Sequence, residues 1–402
     1  MTAQICHAPP VSQSLSPSPF TGAGLAASGW AAGPGHIRLA VERAVGGLSG
    51  APPSLVLVFP DESSAPASAL AEAEAAAAGA PVAGMSADGL VTPGGWRPAG
   101  CAALALGPEV AAGVGVATGA GRDPRAAGRA AAEAAVDGLD LPPGRSGLLL
   151  FLDPEAGEEG DAIAGAYEVV GGRVPLAGGG AHGPRPALYG AGVAAADAVV
   201  AVALRAPGPL GVGIAHGCRP RSFPAVVTRA EGRHVLELDG RPAALVYLEA
   251  LGRHPDGISD EEFERLAVLH PLAQPELRGA LRLRHVHGRA PDGGLACTTH
   301  VPPNAAVWFT EQTIRTIVDS AAEAVHDALE AIGGPARAAL VFDCAARQRA
   351  LGPSLGEEAA TLVAAFGEPT PALAGLYTRG EVGRARGAKG DRNHAVVVVA
   401  LG

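Results

Sequence analysis

Cysteine is scarce in this 402-residue chain, and its few cysteines do not form the pattern of a disulfide framework. Their number is odd, their spacings are wide and no CxxC occurs; they are Cys6, Cys101, Cys218, Cys297 and Cys344. Because unpaired thiols are typical of reducing compartments, we expect a cytoplasmic protein.

Signals for secretion and membrane insertion are also missing. The first basic residue is Arg38, and Pro9 and Pro10 interrupt the apolar residues near the N-terminus, unlike a secretory signal. No apolar run reaches the roughly 18 residues that a membrane-spanning helix requires. We therefore expect no membrane contact.

Positive charge is in short supply, because the formal net charge is −10 at pH 7. Such a surface repels nucleic acid unless it carries a local basic patch. The best candidates for a patch are Arg278, Arg282, Arg284 and Arg289. No aromatic residues interleave with them, so we interpret them as a solvated face and expect no nucleic-acid partner.

The composition is that of a globular protein with a small-residue interior. Hydrophobic residues make up 48% of the chain, charged residues 17% and aromatic residues 4%. Ala, Val and Leu must therefore fill most of the core. The length indicates two or three domains, each able to bury a core of its own.

An internal repeat is the most informative pattern. Each copy begins with a short apolar run, at 55–59 (LVLVF), 148–151 (LLLF) and 339–342 (ALVF). A helical stretch follows at 66–78, 158–170 and 356–366, and then a Pro-containing run at 81–84, 174–178 and 371–375. A further apolar run closes each copy, at 101–106, 199–204 and 394–401. The first two copies lead on into GVG elements at 113–116 and 211–214.

These units predict an α/β fold with mixed sheets. Unbroken apolar runs suit strands buried on both faces, and a strand–helix–strand step implies a parallel pair. We expect a mobile Pro/Ser-rich segment at 1–34, a domain of two repeats at 35–235, and a domain at 236–402 that holds the third repeat and an insertion.

The insertion is predicted to contain strands, a hairpin and a long helix. Runs 226–228 and 234–238 resemble two strands, and 279–309 a hairpin that turns at 291–294. Thr310 is the predicted cap of a helix that ends at Gly333.

The repeat and the insertion together resemble the FIST_N and FIST_C domain pair, from about residue 36 to the C-terminus. The passages that carry the resemblance are 211–220 (GVGIAHGCRP), 227–232 (VTRAEG), 237–243 (ELDGRPA) with Tyr247, 342–347 (FDCAAR) and 375–382 (GLYTRGEV). The resemblance implies a sensory module that binds a small ligand, with amino acids proposed as ligands for related modules. No output domain is recognisable, so we expect a separate signalling partner protein or simple binding.

Polar residues of the third repeat form the predicted ligand site. They follow its two apolar strands, and ligands of open α/β sheets bind at the carboxyl ends of strands. The family's His-Asn pair is replaced near Asn393, which has Arg392 before it and His394 after it. The predicted ligand-binding residues are Cys344, Arg347, Tyr377, Arg379, Glu381 and Asn393. An arginine can bind a carboxylate and a glutamate an amine, which suits an amino-acid-like ligand. The structural alternative is an Arg–Glu pair that fixes loops, beside a small buried cysteine.

Two other functions stay open, a Cys- or metal-dependent hydrolase or transferase and a protein-binding scaffold. An enzyme could use Cys344 as nucleophile with His216 or His394 as its base, although Asp343 would raise the pKa of the thiol. No P-loop or HExxH motif occurs. We lean towards a binding protein that has no cofactor.

Two motif-like patterns have simpler explanations. His285, His287 and His300 would give a three-nitrogen zinc site if His300 lay opposite His285 across the hairpin. We favour solvent-facing histidines. The GxGxxxG pattern recurs at 113–119 and 211–217 without the acidic residue of a dinucleotide site, so tight turns or close backbone contacts explain it better.

Overall fold

A computed structural model describes residues 24–183, 185–254, 257–276, 280–384 and 390–402. The predicted α/β fold with mixed sheets is confirmed. Three similar units, called here units 1 to 3, surround a common core, and an insert lies within unit 3. No helix in the described part of the chain is long and apolar enough to cross a membrane.

Units 1 and 2 have the same order of elements. Unit 1 consists of β1 (Ala26–Ala31), α1 (His36–Gly46), β2 (Leu55–Pro60), α2 (Pro66–Ala76), β3 (Val82–Met85), β4 (Leu90–Thr92), β5 (Gly95–Arg97) and β6 (Cys101–Leu106). Unit 2 consists of β7 (Ala111–Thr118), α3 (Pro124–Val136), β8 (Ser146–Leu152), α4 (Glu159–Val170), β9 (Leu176–Gly180), β10 (Leu188–Gly190), β11 (Val193–Ala195) and β12 (Ala198–Arg205).

Unit 3 follows the same plan but is interrupted after its first strand. Its elements begin with β13 (Leu210–Ala215). The insert then contributes β14 (Arg219–Pro220), β15 (Ala225–Glu231), β16 (His234–Leu238), β17 (Arg241–Pro242), α5 (Ala243–Ala250), α6 (Asp260–Ala267), β18 (Leu272–Pro275), β19 (Leu281–Arg284), β20 (Val286–Arg289), β21 (Leu295–Cys297) and β22 (Ala306–Glu311). Unit 3 resumes with α7 (Ile314–Ile332), β23 (Ala338–Cys344), α8 (Ala345–Leu351), a 3-10 turn (Gly352–Ser354), α9 (Leu355–Ala365), β24 (Ala372–Thr378), β25 (Glu381–Arg384), β26 (Asp391–Arg392) and β27 (Val396–Leu401).

The units are joined by exchanged hairpins. In each sheet the unit's own long strands, numbered along the chain, lie side by side in the order first, last, second, third. A hairpin from another unit pairs with the third strand and forms that edge of the sheet. The β10–β11 hairpin of unit 2 extends the sheet of unit 1, β25–β26 of unit 3 extends unit 2, and β4–β5 of unit 1 extends unit 3. The parallel pairs are β2–β3, β8–β9 and β23–β24, as predicted, and the other pairs are antiparallel.

Part of the segment expected to be mobile is a strand. Residues 1–23 lie outside the described part of the chain, but Ala26–Ala31 pairs along its whole length with Cys101–Leu106. It corresponds to the GVG strands β7 and β13, which therefore open the second and third units instead of closing the first and second. The predicted boundary at 235/236 falls inside β16.

The core lies where the inner faces of the three sheets meet. Phe59, Phe151 and Phe342 stand near the ends of the equivalent strands β2, β8 and β23, and their ring centroids are 6.0 to 6.4 Å apart. All three are fully buried. Three phenylalanines thus fill the centre of a chain that has few aromatic residues.

Glycines in the first strand of each unit let a helix contact the sheet backbone. A methyl group added at Gly115 would lie 2.1 Å from the carbonyl oxygen of Ala131, and the equivalent positions Gly29 and Gly213 are as crowded. Gly119 and Gly217 have positive φ angles of 81° and 71°. Close contact and turn geometry therefore explain the GxGxxxG pattern, as predicted.

We expect Gly115→Ala to destabilise the protein by about 1 to 3 kcal/mol, because the added methyl must displace the backbone of α3. Gly46→Ala is the matched control, since nothing lies within 4 Å of its added methyl and the glycine is helical. Urea unfolding of both variants measures the difference. Equal stability of the two variants would contradict the explanation by close contact.

The insert has its own core and differs from the prediction at one cap. Tyr247 contacts Phe263 and Phe309, with ring centroids 5.6 and 6.1 Å apart. The side chain of Thr313, and not Thr310, caps α7 by accepting a hydrogen bond from the backbone of Thr316. Thr310 instead donates to the Pro271 carbonyl from within β22. Gly333 ends α7 in the left-handed conformation, as predicted.

A buried polar junction as the candidate functional site

Each unit has a polar side chain just after the strand that enters the core. This residue is Asp61 in unit 1 and Asp153 in unit 2. The carboxylate of Asp61 accepts the backbone N–H of Gly100 at 2.5 Å, and that of Asp153 accepts the backbone N–H of Asp197 at 2.7 Å. In unit 3 Cys344 takes this place, and its Sγ accepts the N–H of His394 at 3.2 Å. A thiol is a weaker acceptor than a carboxylate, so the hydrogen bond in unit 3 is the weakest of the three equivalent ones.

Glu381 lies beside Cys344 and is fully buried. One carboxyl oxygen faces Thr378 Oγ1 at 3.2 Å, and the other accepts the N–H of Ala395 at 3.2 Å. Burial raises the pKa of Glu381 well above its usual value, and a hydrogen bond with the Cys344 thiol only partly opposes this shift. Burial therefore favours the protonated, uncharged form of Glu381.

Two imidazoles meet next to this acid. His394 Nε2 lies 2.8 Å from Nδ1 of His285, which belongs to the insert, and His394 Nδ1 lies 3.3 Å from the side-chain amide of Gln312. Burial lowers the pKa of His285 to about 3, and burial together with His285 lowers that of His394 well below its usual range. Both rings are therefore neutral at pH 7, so one can donate to the other.

Asn393 completes the contact with the insert. Its side-chain oxygen accepts a hydrogen bond from the backbone N–H of His285 at 3.2 Å and from the hydroxyl of Thr299 at 3.3 Å. Only 3% of Asn393 is exposed. The side chains that meet here are called the junction cluster: Cys344, Glu381, Asn393 and His394 from unit 3, and His285 from the insert. They link two parts of the chain that have separate cores.

Arg347 and Tyr377 lie in a separate, closed network. The guanidinium of Arg347 contacts Asp343 at 2.9 Å and Glu358 at 2.6 Å, and Tyr377 donates to the other oxygen of Glu358 at 3.0 Å. Arg347 also donates to Ser320 Oγ at 2.8 Å, and it is fully buried. Since these partners occupy the guanidinium, the geometry matches the structural alternative for Arg347, an ion pair that holds α8, α9 and β23 together.

Arg379 lies on the surface, apart from the other predicted residues. It pairs with Glu155 of unit 2 at 2.6 Å, and about half of its side chain is exposed. The six predicted residues thus divide into three places, with Cys344, Glu381 and Asn393 in the junction cluster.

The structure does not bring the three histidines considered for zinc together, and the favoured solvent-facing interpretation fits His287 and His300 but not His285, whose ring faces His394. The backbone carbonyl of His285 accepts from Thr298, so His300 does not lie opposite it, and both His287 and His300 are exposed. The register differs because β20 and β21 pair with an irregularity between Val286 and Gly288. Among the residues that the structure describes, no group of three or more His, Cys, Asp or Glu side chains is placed to hold a metal ion.

The junction does not supply a base for a cysteine nucleophile. The ring nitrogens of His394 face His285 and Gln312, and only its backbone N–H reaches Cys344. The ring of His216 accepts the backbone N–H of Cys218 at 3.0 Å. Burial and the neighbouring Glu381 raise the pKa of the Cys344 thiol well above its usual value. The arrangement therefore favours a thiol over a thiolate.

The predicted solvated face of arginines is wrong for Arg282 and Arg284. Both are buried, and they hold the two oxygens of Asp391 at 2.9 and 2.8 Å. The reason is that β19 packs against β26 of unit 3, which hides the guanidinium groups in the contact. Arg289 is partly exposed, and Arg278 lies outside the described residues.

Several residues of this region were not predicted as part of a site. Gln312 connects Cys218, at 3.0 Å, with His394, and Glu358 connects Arg347 with Tyr377. The sequence pattern could have indicated Glu358, because it falls on the apolar face of α9 between Leu355 and Leu362. No pattern indicated Gln312, since it lies in a loop between a strand and a helix.

Fold and junction together define a two-part α/β module in which an inserted domain contacts a three-unit core through buried polar groups. The FIST N domain model matches residues 54–241 and the FIST C domain model matches residues 243–384. The chain therefore belongs to the FIST family. FIST domains are associated with sensory signal transduction and small-ligand binding.

The similar proteins add family members without a described function. An uncharacterized protein of Mycobacterium bovis is 30% identical over 194 residues, which are 45% of this chain and 48% of that protein. An uncharacterized protein of Mycobacterium tuberculosis H37Rv is 30% identical over 194 residues, 46% of this chain and 49% of that protein. The chain spans about half the length of these curated relatives. A cyanuric acid hydrolase structure from A. caulinodans aligns with 94% of this chain and 99% of that chain at a TM-score of 0.36 and 11% identity.

Proposed function

We propose that this chain is a sensory protein that binds a small, amino-acid-like ligand at the junction cluster. The observation that carries the proposal is the junction itself, where buried hydrogen-bond donors and acceptors of two separately cored parts meet. A ligand that replaces these contacts would change how the insert sits on unit 3. Ligand binding would then itself produce the structural change that serves as the signal.

The chemistry of the cluster suits a polar ligand that carries an amine. Burial raises the pKa of Glu381, and an ammonium group placed beside it would favour its carboxylate. Asn393 offers an amide that can donate and accept, and Cys344 a thiol. Arg347 and Tyr377 support this site indirectly by fixing β23 and β24. Cys344 is the last residue of β23, and Glu381 comes shortly after the end of β24.

Ion pairs around the cluster would hold the closed state. Arg282 and Arg284 hold Asp391, and Arg392 pairs with Glu276 at 2.7 Å, all across the contact between the insert and unit 3. The cluster is buried, so a ligand must enter by separating these two parts. The cytoplasm as location and a separate signalling partner protein remain part of this proposal.

A thermal-shift screen against amino acids and small carboxylates tests the proposal. A ligand that binds only the folded state, at about 100 times its Kd, should raise the melting temperature by about 3 °C for a chain of this length. We expect the shift in the wild type and its loss in Asn393→Ala, because Asn393 touches the insert directly.

Arg379→Ala is the matched control, since Arg379 was predicted for the same site but lies on the surface in another place. The shift should survive in this variant. Loss of the shift in Arg379→Ala with retention in Asn393→Ala would move the site away from the junction. If no amino acid or carboxylate shifts the wild type, the ligand class proposed here is wrong.

A further inference from the structure

The insert contains a cavity of about 390 Å³ that none of the predicted ligand-binding residues lines. It lies between α5, the start of α6 and the turn that joins β20 to β21. Its wall includes Pro242, Leu245, Leu248, Asp260, Arg289 and Pro291, and these residues define the insert pocket. Small-molecule sites have volumes of about 300 to 1,000 Å³, so the pocket suits a small ligand.

Most of the pocket wall is apolar. Leu248 is 1% exposed and belongs to the core of the insert, while Leu245, one turn earlier on α5, is half-buried. Pro242 and Pro291 add rigid apolar surface on either side. A ligand with a short hydrocarbon body would cover this wall and remove it from water.

One cation lies in this wall, and its orientation is fixed. The guanidinium of Arg289 stands over the ring of Phe263 at 5.4 Å and donates to the backbone carbonyl of Ile258 at 3.0 Å. Its side chain is 23% exposed. A guanidinium held in this way can present two parallel N–H groups to one anion.

A carboxylate of the chain itself already occupies that position. Asp260 Oδ1 accepts from Nε of Arg289 at 3.1 Å and from Nη2 at 2.6 Å. The Asp260 side chain is 82% exposed, so this ion pair contributes little and is easily exchanged. The contact shows that a carboxylate fits against Arg289 at the edge of the pocket.

The helix starts beside the pocket do not add to this selection. The N–H of Ala244, in the first turn of α5, donates to the Gly293 carbonyl at 2.9 Å, and the first turn of α6 carries Asp260, Glu261 and Glu262. The cavity and the guanidinium of Arg289 therefore select a ligand with one negative end and one apolar end.

We propose that the insert pocket binds a small carboxylic acid with an apolar body, whose carboxylate replaces Asp260 on Arg289. This site is separate from the junction cluster and does not depend on the function proposed for it. The insert would thereby carry a second input, specific for an apolar acid.

Hexanoate is the probe, and hexanamide is its uncharged control of the same shape. In a ligand-observed NMR titration of the full chain we expect hexanoate to bind and hexanamide to bind at least about tenfold more weakly, since only the acid makes charge-assisted hydrogen bonds. Equal binding of the two compounds, or no binding of hexanoate, would overturn the proposal.

Three variants separate binding from structure. Arg289→Ala should weaken hexanoate binding about tenfold or more. Leu245→Trp should abolish it by filling the pocket. Asp260→Asn should tighten it about two- to fivefold, because the internal competitor loses its charge. A purely structural Arg289–Asp260 pair would give the opposite sign for Asp260→Asn, which would sink the idea. Melting curves of the three variants check that they are folded.

The two proposed sites can fail independently. Asn393→Ala should leave hexanoate binding unchanged, and Arg289→Ala should leave the amino-acid shift unchanged. Loss of hexanoate binding in Asn393→Ala would mean that the acid binds at the junction and would overturn the assignment to the insert pocket.

Discussion

Replacing Arg347 with alanine should lower the free energy of unfolding by about 3 to 5 kcal/mol, because it leaves Glu358 and Asp343 buried without their cation. Both carboxyl groups are fully buried, and Arg347 contacts them at 2.6 and 2.9 Å. Equilibrium unfolding in urea at pH 7 measures the loss. The same variant is therefore unsuitable as a test of ligand binding, since it would weaken the fold itself.

Arg379→Ala is again the matched comparison, and it should cost less than about 1 kcal/mol because its ion pair is exposed. If Arg347→Ala does not fold, Arg347→Lys keeps the charge but loses the forked donors, and it should give an intermediate loss that can be measured. Equal losses for Arg347→Ala and Arg379→Ala would show that the buried network adds nothing to stability.

Glu381→Gln should become more stable relative to the wild type as the pH rises. In the folded protein the pKa of Glu381 is raised by burial, whereas in the unfolded chain it is about 4.3. The wild type therefore loses stability as the pH rises from about 4.3 towards the raised pKa, and the glutamine variant has no such loss. The difference should grow by up to about 1.4 kcal/mol per pH unit until the pH reaches the raised pKa.

Unfolding of wild type and variant at pH 4.5, 6.0 and 7.5 measures this difference. Glu155→Gln is the control, because Glu155 is largely exposed and lacks the burial of Glu381. If the difference for Glu381→Gln is flat or reversed in sign, Glu381 is ionised in the folded protein and the junction cluster is charged.

Much of the fold is readable from the sequence because each unit repeats the same local signals. Apolar runs such as 55–59 are strands buried on both faces, and their periodicity needs no knowledge of their partners. Gly115 and Gly213 marked the close contact of helix and sheet for the same reason. The first strand, Ala26–Ala31, was missed because its residues are small and follow a segment rich in Pro and Ser.

The candidate site was predictable only in part. Cys344 and Glu381 lie side by side, since both come at the ends of strands of one unit, and Asn393 directly precedes His394, whose N–H contacts Cys344. Arg347 was expected beside them, but it pairs with Glu358 of α9, and no sequence pattern predicts this pairing. His285 was considered for a metal, and its real neighbour His394 is 109 residues away.

The sequence alone determined the repeated α/β units, the glycine contacts and the family, because these depend on local periodicity and on motifs in a fixed order. Only the tertiary structure decided which polar groups are charged and what they touch. Hairpin exchange among the units and the docking of the insert bury Glu381, His394 and Arg284. Burial of an ionisable group, and the partner that compensates it, depend on chain segments far apart in sequence.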